Sequence, residues 1–188
     1  MNCIKPKCGG SFPYFIIDSG HAVVPGECDI GNMRQLLSFF EHKAPNIDSV
    51  HSPILDESMH KQALDRMLGG NTNYVFCAHS ANTQDELARL SLAGNVLCSR
   101  CKRFLCKRSG RDSKRVPGKK ETDLECLLRH LRNAIAHGHV YVFHGGNYIS
   151  VLFEDINNSG KTTARIICCQ ADLKKWKAIL ENALSHQQ

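Results

Sequence analysis

The chain has 188 residues, 42% of them apolar, and a formal net charge of +6, which suits one globular domain with a sizeable core. No apolar run approaches the roughly 18 to 20 residues that span a bilayer, and nothing of signal-peptide type follows Lys5 and Lys7, so a cytoplasmic protein is expected. Ten cysteines without an export signal point to thiols rather than a disulfide scaffold. Cys126, Cys168 and Cys169 lie inside apolar patterns, where cysteine behaves as a small hydrophobe.

In chain order, residues 1–28 read as an irregular arm punctuated by glycine and proline, with a short strand or buried stretch over 14–17. A helix is expected over 31–43, where Leu36, Phe39 and Phe40 give an apolar stripe and Pro45 ends it. Ser52-Pro53 is a helix-start signal for a second helix, which Gly69-Gly70 stops. Residues 74–78 suit a strand or a helix equally. Thr83 with Glu86 makes a capping box, and the helix it opens is expected to run to about Phe104.

Next comes a basic block. Between Arg100 and Lys120 stand ten lysines and arginines, with Asp112 as the one acid. Such a block is either a solvated linker or a phosphate-binding surface. The residues assigned to RNA binding are Arg100, Lys102, Arg103, Lys107, Arg108, Arg111, Lys114 and Arg115, together with Arg129 on the next helix. Gly110, Pro117 and Gly118 break regular structure here.

Thr122 with Glu125 is a second capping box, and Leu124, Leu127, Leu128, Leu131 and Ile135 repeat at helical spacing. Gly138 supplies the stop. Residues 139–143, 148–153 and 162–168 read as strands, with turns at 144–147 and 157–161. Asp172 is expected to cap a last amphipathic helix. The whole reads as a single domain over 1–188. Its parts are the arm 1–28, a basic linker 106–120, a motif helix 121–138, a small β element 139–168 and a C-terminal helix 172–186. The fold class is mainly α, a helical bundle with a small antiparallel hairpin or sheet before the last helix.

The segment 127–138 carries the chemistry. Asn133 and His137 are four apart and share a helix face. Arg132 and His137 are five apart, roughly 140° around the axis, able to converge on one groove without touching. Metal-free RNA cleavage needs a proton-transfer group, for which histidine is suited near neutral pH. It also needs a donor for charge gathering on the phosphate, which arginine provides as a permanent fork. The 2′-hydroxyl would be the nucleophile, so DNA is excluded as substrate. Arg-x4-His alone is common by chance. Arg-Asn, three small or apolar residues and His-Gly on a capped leucine-rich helix is far more specific. Capping of the helix end by Arg132 and His137 is the purely structural alternative.

That string resembles the motif of the HEPN superfamily, and the hairpin and final amphipathic helix resemble those of small stand-alone HEPN proteins of bacterial plasmids and defence loci, over roughly residues 83–188. The resemblance implies a HEPN-like bundle and a metal-independent endoribonuclease leaving cyclic phosphate ends, acting as a toxin or in phage defence. Arg132, Asn133 and His137 would be catalytic. It implies a homodimer whose two motifs face one cleft, no cofactor, and a possible antitoxin protein as partner. HEPN toxins paired with a nucleotidyltransferase antitoxin often carry Tyr two residues after the motif His, where this chain has His139. A catalytically silent module that binds RNA or a protein partner is the alternative. For zinc, Cys98-x-x-Cys101 with Cys3 and Cys8 has near-ligand spacing, although such thiols on a helix are also common core neighbours.

Overall fold

A computed structural model describes residues 14–16, 32–45, 53–69, 73–99, 102–112, 118–145 and 148–186. The elements in order are β1 (Tyr14–Ile16), α1 (Met33–Ser38), α2 (Glu57–Leu68), β2 (Asn73–Cys77), α3 (Thr83–Arg89), β3 (Val96–Cys98) and β4 (Arg103–Lys107). Then come α4 (Asp123–Ala136), β5 (Val140–Gly145), β6 (Tyr148–Ile156), β7 (Thr162–Cys169) and α5 (Gln170–Ser185). A π-helical turn, Phe39–Lys43, extends α1. It closes at Ala44, whose extended backbone (ψ 147°) is the conformation a residue before proline favours.

The mainly α expectation is overturned. The centre of the molecule is a five-stranded mixed sheet of order β2-β4-β7-β6-β5, in which β2 and β4 run parallel and the other neighbours antiparallel. The error lies in the helix expected from Thr83 to Phe104. That helix ends at Arg89, Ser91 takes a left-handed conformation (φ 53°), and Leu92 N–H bonds back to the Leu87 carbonyl at 2.7 Å. The chain then turns through Gly94 (φ 83°) into β3 and β4. A short apolar run such as Phe104-Leu105-Cys106 is the same pattern in a buried strand and in a buried helix. Here it is a central strand covered on both faces, the setting in which strict alternation disappears.

Alternation within each strand divides the core in two. Phe104 and Cys106 of β4, Val151 and Phe153 of β6, and Ala164, Ile166 and Cys168 of β7 pack with α1, α2, α4 and α5. Leu105, Leu152 and Ile167, facing the other way, pack with Leu87 and Leu90 around α3. On that second face Arg165 meets its cross-strand neighbour Glu154 at 2.7 Å. On the first, Trp176 Nε1–H donates to the Met67 carbonyl at 2.8 Å, tying α5 to α2.

The helix starts are partly as read. Thr122 and Glu125 form the reciprocal capping box of α4. Asp56, not Ser52-Pro53, caps α2, and Asn82, not Thr83, caps α3; Thr83 is the first residue inside. Asp172 sits in the first turn of α5 and accepts from the Cys169 N–H, so the cap is Cys169. The strands after Gly138 fall where expected and extend slightly further. No helix among the described residues is long and apolar enough to cross a membrane.

Candidate active site

Helix α4 positions the motif. Its buried stripe, from Leu124 to Ile135, lies on β6 and the helices of the first core. Arg129, Arg132 and Asn133 remain on the partly open side, and Ala136 and His137 are exposed. The helix closes with a Schellman motif. His139 N–H bonds to the Ala134 carbonyl at 2.8 Å, Gly138 N–H to that of Ile135 at 3.0 Å, and Gly138 takes φ 72°, a conformation that favours glycine. His137 is therefore the C-cap residue, its side chain projecting where the helix stops.

Asn133 and His137 line a cleft of about 540 Å³. The end of β4 and the segment after it, with Lys107, Arg108 and Arg111, and the stretch 156–159 line the same cleft. Below lies a buried polar network. Asp155 is on β6, on the same face as Val151 and Phe153, and so points at α4. Its Oδ2 accepts from His130 Nδ1 at 2.6 Å and from Asn133 Nδ2 at 3.2 Å. The other His130 ring nitrogen reaches the Lys107 carbonyl at 2.8 Å. Burial opposes charge on His130, yet the hydrogen bond to Asp155, with help from the Cys126 thiol, pushes its pKa up to about 9. Burial likewise opposes charge on Asp155, and the bond to His130 outweighs it and holds the carboxyl below the usual range. His130 is thus a buried imidazolium at neutral pH.

A second pair braces the wall. Arg129 Nε meets Glu121 at 2.5 Å, and its Nη2 donates to the Lys107 carbonyl at 2.9 Å. Glu121 also accepts from the Ser109 N–H at 2.8 Å, so the loop after β4 is bound to the start of α4. Against the cost of burial, the bond from Arg129 holds the Glu121 carboxyl low.

The stretch 81–188 of this chain matches the model of a family described as HEPN pEK499 p136. The chain belongs to that HEPN family. No curated protein and no solved structure matches it. Families of this kind are associated with RNA and ribonuclease chemistry, and the motif helix of the HEPN protein lies wholly inside the matched stretch.

The cleft of this HEPN protein gathers two of the three motif residues. Arg132 does not line it; it stands on the far shoulder of α4 beside exposed Ala136, and its guanidinium has no partner among the described residues. Asn133 donates to Asp155, not to His137. Of the cations assigned to RNA, Lys107, Arg108 and Arg111 reach the rim, and Arg129 lines the cleft while bound to Glu121. Arg108 also meets Asp123 at 2.6 Å. Lys102 is on Asp172 at 2.6 Å. Arg103 must be withdrawn: it is 3% exposed, and its guanidinium donates to the carbonyls of Leu90 and Ser91 at 3.0 and 2.9 Å, closing the end of α3. Arg100, Lys114 and Arg115 lie outside the described residues.

Of the zinc set, Cys3, Cys8 and Cys101 also lie outside the described residues, and Cys98 is buried at the end of β3. Among the described residues no three His, Cys, Asp or Glu side chains stand together as a metal set. His79, Glu121 and Asp155 were missed. An acid on the otherwise apolar inner face of a strand was the signal for Asp155. For His79, reached only through the pairing of β2 with β4, the sequence carries none.

Proposed function

We propose that this HEPN protein is a metal-independent endoribonuclease. The reading rests on one observation: the motif residues Asn133 and His137 line a single cleft together with Lys107, Arg108 and Arg111. A phosphodiester seated there would have cations for its charge and an imidazole beside it. His137 moves a proton, and the substrate's own 2′-hydroxyl attacks phosphorus, giving a 2′,3′-cyclic phosphate and a 5′-hydroxyl. Asn133, oriented by Asp155, accepts or donates at the sugar-phosphate. Arg132, outside the cleft and without a partner among the described residues, is assigned to the transition-state phosphate of a site completed by a second protomer, where a guanidinium fork is best suited. A toxin or antiphage role, with a protein that neutralises it, belongs to this proposal.

Incubation of the purified protein with total RNA and with tRNA in EDTA tests it, beside Arg132→Ala and His137→Ala. The parent should cleave, and each variant should lose on the order of 10²-fold or more in rate, the scale of a lost acid-base or oxyanion group. If the parent retains RNA and cleaves none, the motif is a binding site without catalysis. Equal cleavage by all three would place the activity elsewhere.

A further inference from the structure

Among the described residues three imidazoles line the cleft: His79, His130 and His137. His130 cannot exchange protons with a substrate. It is 1% exposed, and both ring nitrogens are engaged, one by Asp155 and one by the Lys107 carbonyl. His79 and His137 are exposed, and neither ring makes a hydrogen bond among the described residues.

His79 is held in place by backbone. It sits in the turn after β2, where Ala81 N–H bonds to the Ala78 carbonyl at 3.0 Å. The parallel pairing of β2 with β4 brings that turn beside the cationic wall, and Arg108 N–H bonds to the Cys77 carbonyl at 3.0 Å. Lys107 Nζ reaches the Ala81 carbonyl at 3.4 Å. The ring itself rests on Gly110: a Cβ there would stand 2.6 to 2.9 Å from three of its atoms. Only glycine at 110 allows that seat. His79 lies outside the matched stretch 81–188, so the family likeness does not supply it.

From this geometry we infer that His79 is a second proton-transfer group for RNA cleavage, paired with His137. The inference rests on the ribonuclease reading above. Attack by the 2′-hydroxyl requires two proton transfers. One imidazole takes the proton from O2′ as the O2′–P bond forms. The other, as imidazolium, gives a proton to O5′ as the P–O5′ bond breaks. No oxidant or co-reactant is needed, and the pair ends with its protonation exchanged. Two separate groups in one cleft achieve this in a single pass. Among the described residues, the charged side chains that line this cleft with His79 are Lys107, Arg108, Arg111 and Asp112, together with the pairs Arg129–Glu121 and His130–Asp155.

The test is cleavage of a mixed-sequence oligoribonucleotide in EDTA across about pH 5 to 9, which spans the range of about 5 to 8 where unperturbed imidazoles change charge. The proteins are the parent, His79→Ala, His79→Gln and Gly110→Ala. A bell-shaped profile is expected for the parent. His79→Ala and His79→Gln should lose kcat by on the order of 10²- to 10⁴-fold, with little change in KM, an unchanged melting temperature and one limb of the profile gone. Gly110→Ala, which keeps the imidazole and displaces it, should lose part of that rate. A substrate with sulfur in place of O5′ at the mapped step then assigns the role, since a thiolate leaves without an acid. Rescue of His79→Ala places His79 at O5′, and loss of the limb without rescue places it at O2′. Both limbs and the parent rate surviving in His79→Ala would overturn the inference, as would a change confined to KM. A parent that binds RNA and cleaves none overturns the ribonuclease reading instead, and this inference falls with it.

Discussion

Asp155 does two things with one carboxylate: it neutralises a buried imidazolium and it fixes the amide of Asn133. The pair with His130 has a definite pH signature. The folded His130 value, about 9, is above its ordinary value of about 6.5. Its contribution to stability is therefore full below about 6.5 and is lost as pH rises through the folded value. Asp155 is lowered, so its contribution is present above the ordinary carboxyl range of about 3.9 and is lost as pH falls through the folded value. Removing one partner of such a pair strands the other charge, at about 3–5 kcal/mol. Asp155→Ala should lower the melting temperature at neutral pH and flatten its decline between neutrality and about pH 9. Parallel curves for parent and variant would show that the pair does not set that slope. At this scale the helical spacing of Asn133 and His137 was readable as one shared face, and both line the cleft. It was opaque at Arg103, whose charge looks like any other in the basic block until its carbonyl partners fold around it.

At the scale of elements, α4 was legible at both ends because its signals are local. Thr122 and Glu125 satisfy each other's backbone donors, and Gly138 comes soon after the last apolar residue of the stripe. The left-handed Gly138 has open space around the position of a Cβ, so Gly138→Ala tests backbone conformation alone. It should cost about 1–2 kcal/mol, read from chemical denaturation, and it should slow RNA cleavage because His137 and His139 flank the left-handed link. Full stability in this variant would mean that the helix end does not depend on the left-handed link. The end of α3 was not legible. Ser91 is not a residue that announces a left-handed turn, and its stabilising contacts are distant in sequence: Arg103 on its carbonyl, and Leu87, Leu90 and Leu92 facing Leu105 and Ile167.

At the scale of the whole molecule, the sheet decides where the chemistry is. Parallel pairing of β2 with β4 carries the turn holding His79 to the loop holding Lys107, Arg108 and Arg111. The antiparallel run β4-β7-β6 sets Asp155 under α4. A bundle with a small hairpin, the architecture read from composition and periodicity, would have left the basic segment as a linker. In the structure Arg103–Lys107 is a central strand, buried up to Cys106, and among the described residues of the segment those from Lys107 to Asp112 line the cleft. Long-range strand order is absent from local pattern, so this assembly could not be read in advance. The proposed reaction is cleavage of RNA in this cleft through the substrate's 2′-hydroxyl. It is tested most directly by mapping the cut in an oligoribonucleotide and remaking it with a single 2′-deoxy sugar at that step. The expected result is a 2′,3′-cyclic phosphate at the original cut, no cleavage at the deoxy step, and none at either by His137→Ala. Cleavage at the deoxy step, or ends bearing a 3′-hydroxyl, would contradict it.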